Sequence, residues 1–555
     1  MSNRHLAFWP PSVPRELLLP ETSLWFNLEV VATRYPHKAC TVFYDSVLSY
    51  AEFKRQAELL AGFMQRARGL SRGDRVALYL QNSPQFMLAY YAVLRADAVV
   101  VPINPMNVTS ELSYVVRDSG AKLLFTAQDR YDQVEPLLRG GELSHAVVVT
   151  YSDALTSATD LAVPDFVSAP RRELTTSNAT AWSDAVAHAL EPAPHQSTDD
   201  DLCVMPYTSG TTGHPKGCIH THRSVMHTAL ATSHWHRTFH NESVLTVLPL
   251  FHVTGMQNAM NGPIYAGATM VVLPRWDRDV AAALIQRYRV SGWTSVPTMV
   301  VDLLSSPRLD QFDLSSLRMM GGGGAAMPEA IAHKLEQLCR VTYVEGYGLS
   351  ETAAATHINP PQRPKKQCLG IPIFGVDSRV VDPDSLLELG AGEVGEIVTH
   401  GPQLFQGYWN QPEANAACFV MLDGKRFFRT GDLARVDSDG YFFMVDRIKR
   451  MINAAGYKVW PAEVEAQLYA HPAIKEAAVI AQRDARRGET VKAIVVLEPS
   501  VRGLITEAEL LSWARTQMAA YKVPRSMEFV DDLPKSASGK IMWRALQERE
   551  DNKNG

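Results

Sequence analysis

Cysteine is scarce in this chain. There are six among 555 residues (Cys40, Cys203, Cys218, Cys339, Cys368 and Cys418), and none forms a C-x-x-C pair. That is too few for a disulfide framework, so reduced, buried thiols are expected. Long apolar runs are also missing: no stretch approaches the ~18–20 uninterrupted apolar residues that a membrane-spanning helix needs. The start, Met1-Ser2-Asn3-Arg4-His5, leads into Trp9-Pro10-Pro11 rather than an apolar signal segment. The end, Asp551-Asn552-Lys553-Asn554-Gly555, matches no lipidation or retention signal. The expectation is a cytoplasmic protein without a transmembrane segment. Net charge is only -5, too mild to argue for a nucleic-acid partner, although the part beyond Asp446 is slightly basic and would suit a polyphosphate. Internal repeats are absent. Seven histidines cluster in sequence (His214, His220, His222, His227, His234, His236, His240). Their H-x-H pairs have poor helical spacing for one site and no ordered carboxylate or thiolate set beside them, so no metal site is expected there.

What is present is a chain of ordinary globular composition, 46% hydrophobic and 20% charged, long enough for more than one domain. Val76 to Leu80 reads as a strand. Ser83 caps and Pro84 opens a helix over Phe86 to Ala96, and Val99 to Pro102 reads as the next strand. This alternation argues for α/β layers. Residues 151–201, rich in Ser, Thr, Ala, Pro and Asp, read as a surface excursion with little core of its own. Composition changes again near Asp446. Beyond it Pro461 to Tyr469 and Glu507 to Met518 read as helices, and Ala477 to Ala481 and Ala493 to Leu497 as strands, which together suit a compact α+β domain.

The sharpest segment is Tyr207-Thr208-Ser209-Gly210-Thr211-Thr212-Gly213-His214-Pro215-Lys216-Gly217. Its glycines let backbone N–H groups approach an anion, its hydroxyls add donors and Lys216 adds charge. The spacing is not G-x-x-x-x-G-K-[S/T], which excludes the P-loop of the NTPases. The segment resembles the signature loop of the adenylate-forming superfamily, in particular its acyl-CoA synthetases. Further motifs follow in that family's order over nearly the whole chain: Leu248 to Gly255, Gly346 to Thr352, Gly395 to Val398, Arg429 to Leu433, Asp446 to Arg450, Gly456 to Glu463 and Pro534 to Lys540.

The resemblance implies a large N-terminal AMP-binding domain of layered α/β sheets in several subdomains, residues 1–445, and a small mobile α+β domain, residues 446–555. It implies that a small-molecule carboxylic acid attacks the α-phosphate of ATP to give an acyl-adenylate and pyrophosphate, and that coenzyme A then displaces AMP. Mg²⁺ and positive charge would offset the repulsion between two anions. By the same resemblance, Thr208, Ser209, Gly210, Thr211, Thr212 and Lys216 hold the terminal phosphates, Ser350 the α-phosphate, and Glu351 ligates Mg²⁺. Gly324, Ala325, Ala326 and Tyr347 form the adenine pocket. Asp432 accepts from the ribose, and Arg447 contacts the nucleotide. Lys540 is the catalytic lysine of adenylation, His252 the aromatic gate beside the acyl carboxylate, and Asp446 the hinge. Gly456, Tyr457 and Lys458 line the coenzyme A tunnel. The acyl pocket is expected near Met256, Thr298, Met299, Val300, Gly322, Gly323 and Ala353.

Asn453-Ala454-Ala455-Gly456 stands where aryl-CoA ligases usually carry Lys-Tyr-Lys-Gly, so the expected acid is a medium- or long-chain fatty acid. The alternatives are an aryl or small branched acid on the same fold, or transfer of the acyl group to a carrier protein. For assembly, a homodimer is entertained.

Overall fold

The computed structural model describes residues 3–208, 215–324, 327–454, 457–484, 488–536 and 541–553. The chain forms two compact units. The larger comprises His5–Asp377 and His400–Phe428; the smaller is built mainly from Ser378–Thr399 and residues 429–553. The strand Lys425–Val436 carries the chain from one unit into the other.

Two sheets dominate the larger unit. One runs, in spatial order, His220–Thr221, Leu202–Val204, Val99–Pro102, Arg75–Tyr79, Leu123–Ala127, His145–Val149 and Ala179–Ala181. Its pairs are parallel except at His220–Thr221. The other has Ala39–Phe43, Thr269–Val272, Ser243–Thr246, Gly292–Ser295, Met319–Gly322 and Tyr343–Leu349 as a parallel centre. Antiparallel edges flank it at Ser46–Ser49 and at Ala354–Ile358 with Ile371–Pro372. Parallel strands are covered on both faces, which is why they read as nearly continuous apolar runs.

The helix Pro84–Arg95 shows how sequence sets these layers. Ser83 Oγ accepts the N–H of Phe86 at 3.1 Å and Pro84 opens the first turn, as expected. Every residue from Pro84 to Leu94 is buried. A helix that is apolar all round belongs inside a core, and it packs in one apolar cluster with Val76 and Leu78 of the first sheet and Val42 and Val271 of the second. Residues 151–201 contribute more than a surface excursion: Ala179–Ala181 adds an edge strand, and Val167, Trp182 and Ala185 are buried in the main core.

In the smaller unit, Ile474–Asp484 and Gly488–Leu497 form a long antiparallel pair joined by Ile452–Ala454 and, in parallel, Ser526–Phe529. Helices Pro461–Leu468 and Glu507–Gln517 contribute Val464, Leu468, Leu510 and Ala514 to its apolar cluster. The six cysteines are free thiols. Among the described residues, no helix is long and apolar enough to cross a membrane.

Candidate active site

The two ends of the glycine- and hydroxyl-rich loop are held together. Tyr207–Thr208 pairs antiparallel with Lys216–Gly217, setting Thr208 opposite Lys216. Ser209, Gly210, Thr211 and Thr212 lie outside the described residues. A helix over Thr109–Ser119 braces the hairpin from one side: Tyr207 Oη donates to Asp118 Oδ2 at 2.6 Å, and Tyr114 Oη donates to the Pro215 carbonyl at 3.0 Å. On the other side lies the segment Gln406 to Trp409. The Ile219 N–H bonds the Gly407 carbonyl at 3.0 Å, the Trp409 N–H bonds the Gly217 carbonyl at 2.8 Å, and the Trp409 indole donates to the Asp118 carbonyl at 3.0 Å. Neither Asp118 nor Tyr408 stands in a sequence pattern that marks it for a role.

Ser350 and Glu351 begin a single 3₁₀ turn, Ser350–Thr352, at the end of the strand Tyr343–Leu349. The chain leaves this turn through two alanines with positive φ, Ala353 at 47° and Ala354 at 95°. Non-glycine residues pay for that conformation with strain, which tends to concentrate at functional sites. Thr352 steadies the turn, its hydroxyl accepting the Leu349 N–H at 2.9 Å and donating to the Ala354 carbonyl at 2.7 Å. The Ser350 carbonyl is bonded by His220 Nε2 at 2.7 Å, and burial pushes the His220 imidazole down to about 4, so the ring is neutral. Glu351 Oε1 accepts the Tyr408 phenol at 2.7 Å, while Lys216 Nζ sits 5.1 Å from the centre of the same ring. Burial and then the Glu351 charge push the Tyr408 phenol far up, so it stays a donor. The Glu351 carboxylate and the Thr208 hydroxyl are oxygen donors, which fit a hard divalent cation such as Mg²⁺.

Of the expected adenine wall, Gly324 and Tyr347 lie within the described residues. Gly324 has φ +87°; Ala325 and Ala326 lie outside the described residues. Tyr347 is half-buried, opposite His357 in the strand pair, with ring centres 5.6 Å apart. The Glu345 carboxylate accepts the Met327 N–H at 2.9 Å and the Cys368 N–H at 3.3 Å, fixing the far end of the Gly324 segment. A Cβ at Gly322 would lie 1.9 Å from the Ser295 carbonyl oxygen, and one at Gly323 2.4 Å from the Gly346 carbonyl oxygen. The neighbours are backbone and cannot step aside. Gly322→Ala should therefore destabilise the larger unit by about 1–3 kcal/mol through overpacking. A thermal melt would read this as a lowered midpoint, and an unchanged midpoint would contradict the close approach.

His252 is half-buried and caps the short helix Val253–Met256, its Nδ1 lying 3.4 Å from the Thr254 N–H it accepts. Met256 and Val300 are buried, Met299 is half-buried, Thr298 is exposed and Ala353 is buried. A polar string missed by sequence analysis lies beside Met256. Asn261 donates to Tyr90 Oη at 3.3 Å and to Gln257 Oε1 at 3.2 Å, and Tyr91 Oη donates to Asn261 at 3.0 Å. Two of the other histidines act as fixtures. His222 Nδ1 accepts the Leu24 N–H at 3.1 Å and His227 Nε2 bonds the Phe374 carbonyl at 2.8 Å.

The smaller unit carries the remaining candidates. Asp432 and Arg447 stand opposite each other in an antiparallel pair, Nε to Oδ1 2.9 Å, with Asp432 1% exposed. The Gly395 to Val398 motif supports that pair. Glu396 accepts Arg429 Nε at 2.9 Å and the Gly431 N–H at 3.1 Å, and Thr430 Oγ1 donates to the Ile397 carbonyl at 2.7 Å. Asp446 is buried, which pushes its carboxyl up. It accepts the Arg447 N–H at 2.6 Å and the Ala462 N–H at 2.7 Å. Tyr457 and Lys458 occupy strand positions opposite Ala454 and Asn453; Gly456 lies outside the described residues. So does Lys540, within a stretch bracketed by a bridge between Lys535 and Ile541.

Comparison with known proteins adds the following. Residues 28–409 match the model of the AMP-binding enzymes, and residues 463–540 match that of the AMP-binding enzyme C-terminal domain. A long-chain-fatty-acid–CoA ligase of Bacillus subtilis (strain 168) is 35% identical, covering 98% of this chain and 98% of its own. A feruloyl-CoA synthase of an Amycolatopsis species is 34% identical, over 93% of this chain and 96% of its own. The crystal structure of ATP-bound MatB from Rhodopseudomonas palustris superposes with a TM-score of 0.84 at 29% identity, covering 96% of this chain and 100% of that one.

Proposed function

We propose a substrate and a division of labour from one premise: the chain belongs to the AMP-binding enzyme family, the adenylate-forming ligases, and is an ATP-dependent, AMP-forming acid–CoA ligase. The acid is a medium- or long-chain fatty acid. What supports this is the 35% identity to a long-chain-fatty-acid–CoA ligase over 98% of both chains, together with the absence of the lysines that aryl-CoA ligases carry before Gly456. An aryl acid is the second reading, because the feruloyl-CoA synthase is almost as similar, at 34% identity.

The observation that carries the division of labour is the convergence of Lys216 and Glu351 on Tyr408 beside the hydroxyl-rich loop. In this reading Thr208, Ser209, Gly210, Thr211, Thr212 and Lys216 bind the terminal phosphates, and Ser350 binds the α-phosphate. Glu351 would hold Mg²⁺, which when bound offsets phosphate charge. Gly324, Ala325, Ala326 and Tyr347 would receive the base, and Asp432, aligned by Arg447, the ribose. The substrate carboxylate attacks the α-phosphorus and pyrophosphate leaves, with Lys540 supplying positive charge. The coenzyme A thiolate then attacks the acyl carbon and AMP leaves; His252 admits the thiol, and Gly456, Tyr457 and Lys458 guide its approach. Asp446 is the hinge of a C-terminal domain beginning there. Met256, Thr298, Met299, Val300, Gly322, Gly323 and Ala353 border the acyl chain. An apolar pocket of this kind separates neighbouring chain lengths by only about 1–3 kcal/mol per methylene.

Pyrophosphate release with ATP and Mg²⁺, across linear, branched and aromatic acids with and without coenzyme A, tests this reading. Coenzyme A-dependent turnover peaking on one linear chain length is expected. A peak on aromatic or branched acids would overturn the choice of acid, and release that ignores coenzyme A would overturn the acceptor.

A further inference from the structure

We propose that Tyr408 is a positioning residue that aims the Glu351 carboxylate at the metal–nucleotide complex and seats the Lys216 ammonium on its ring face. The inference rests on the ligase reading above and deepens it.

Three observations carry it. First, the Tyr408 backbone is pinned. It bridges Cys218 in an antiparallel register, and the Asn415 side chain clasps it from the other side, accepting the Tyr408 N–H at 2.6 Å and donating to the Tyr408 carbonyl at 2.9 Å. Gly407, with φ +152°, makes room for that clasp: a Cβ there would lie 2.9 Å from Asn415 Oδ1. Second, the ring is wedged edge-on against Phe405, centres 4.9 Å apart, so its plane is fixed. Third, the two functional groups of the phenol are both used. The hydroxyl donates to Glu351 Oε1 at 2.7 Å, and the Lys216 ammonium lies 5.1 Å from the ring centre.

The choice of a phenol follows from charge. An Arg or Lys at position 408 would fix the carboxylate only by neutralising it. A neutral phenol orients one carboxylate oxygen and leaves the negative charge in place, while its π-face accepts the ammonium without a counter-anion. Groups that orient a metal-binding side chain through its other atoms typically matter 10–100-fold for metal affinity, as an order of magnitude.

The test uses the full-length protein, with Mn²⁺ as the metal probe and a non-hydrolysable ATP analogue as the nucleotide. Binding is followed by calorimetry and by the Mn²⁺ paramagnetic signal. Tyr408→Phe keeps the ring and loses the hydroxyl. It should weaken Mn²⁺ binding to the nucleotide complex about tenfold, leave nucleotide binding in chelator within about twofold of wild type, and leave the thermal midpoint of the free protein unchanged. Tyr408→Leu also removes the ring and should weaken metal-free nucleotide binding as well, because Lys216 then loses the π-face that seats it. Should Tyr408→Phe not fold, Asn415→Ala, which frees the backbone of Tyr408, carries the test and should show the same metal defect in smaller degree. Wild-type Mn²⁺ affinity in the folded variants would overturn the proposal. So would a loss of metal-free nucleotide binding in Tyr408→Phe equal to its loss of metal binding. Wild-type protein that binds nucleotide and Mn²⁺ but releases no pyrophosphate with any acid would instead count against the ligase reading.

Discussion

Lys540→Ala should remove adenylation, by a factor on the order of 10²–10³ or more, while thioester formation from supplied acyl-adenylate stays largely intact. The first half-reaction brings a carboxylate onto the phosphorus of a polyphosphate, so its barrier is dominated by anion repulsion. Deleting a single well-placed donor or cation from such a transition state typically costs about 10²–10³ in rate. The second half-reaction starts from a mixed anhydride that is already activated. The nucleophile is one thiolate, the leaving group is AMP, and no second polyphosphate has to be approached. The two rates are separable: pyrophosphate exchange reports the first, and product formation from synthetic acyl-adenylate and coenzyme A reports the second. Equal loss in both would remove Lys540 from the role proposed for it.

A second large effect concerns acid. His220, His222, His227 and His357 are all buried in the larger unit. Burial pushes His222 and His357 down to about 3, with a smaller push from a nearby histidine, and pushes His220 and His227 down to about 4 against the opposing pull of the carbonyl each ring bonds. Unfolded, each titrates near its ordinary value of 6.5. Between those limits the unfolded chain binds protons that the folded chain refuses, so stability must rise with pH across the window and fall as pH drops from about 6.5 towards 4. Each proton contributes about 1.4 kcal/mol per pH unit, so the four together can approach about 5 kcal/mol per unit. Against a total stability of about 5–15 kcal/mol, the larger unit should unfold near about pH 5, before the carboxylates are neutralised. Urea melts followed by circular dichroism from neutral pH to about 4 would show the slope. His227→Gln preserves a donor for the Phe374 carbonyl and should flatten the slope by about 1.4 kcal/mol per pH unit. A profile that stays level to about pH 4 would refute the assignment of these rings as neutral.

The layers of the fold were legible where one residue pattern could have only one use. Ser83-Pro84 just ahead of the apolar run Phe86 to Leu94 must begin a buried helix, and it does. Strand partners were not legible. Ala39–Phe43 pairs with Thr269–Val272, and nothing within either short apolar strand names the other. Residues 151–201 were underestimated because their composition is polar, while burial is decided by a few members such as Val167 and Trp182. At the candidate site, the loop and Lys216 stood out by their own chemistry, whereas Glu351 and Asp432 were named only through the family resemblance of their motifs. The supports did not stand out. Tyr408 lies 57 residues from Glu351, and a tyrosine in a Gly-Tyr-Trp stretch has no meaning until its neighbour is known. Glu396 is the intermediate case: its motif was visible, but its grip on Arg429 and Gly431 was not.

The smaller unit is assembled from separate stretches, with residues 400–428 of the larger unit lying between them in the chain. A single crossover between two related genes therefore cannot exchange that unit cleanly. A crossover before Ser378 drags 400–428 along with it. One before Arg429 leaves Glu396 from one parent facing Arg429 from the other. Inheritance of the unit as a module needs two coordinated breakpoints, so the two units should carry a shared ancestry more often than chains whose domains simply follow one another.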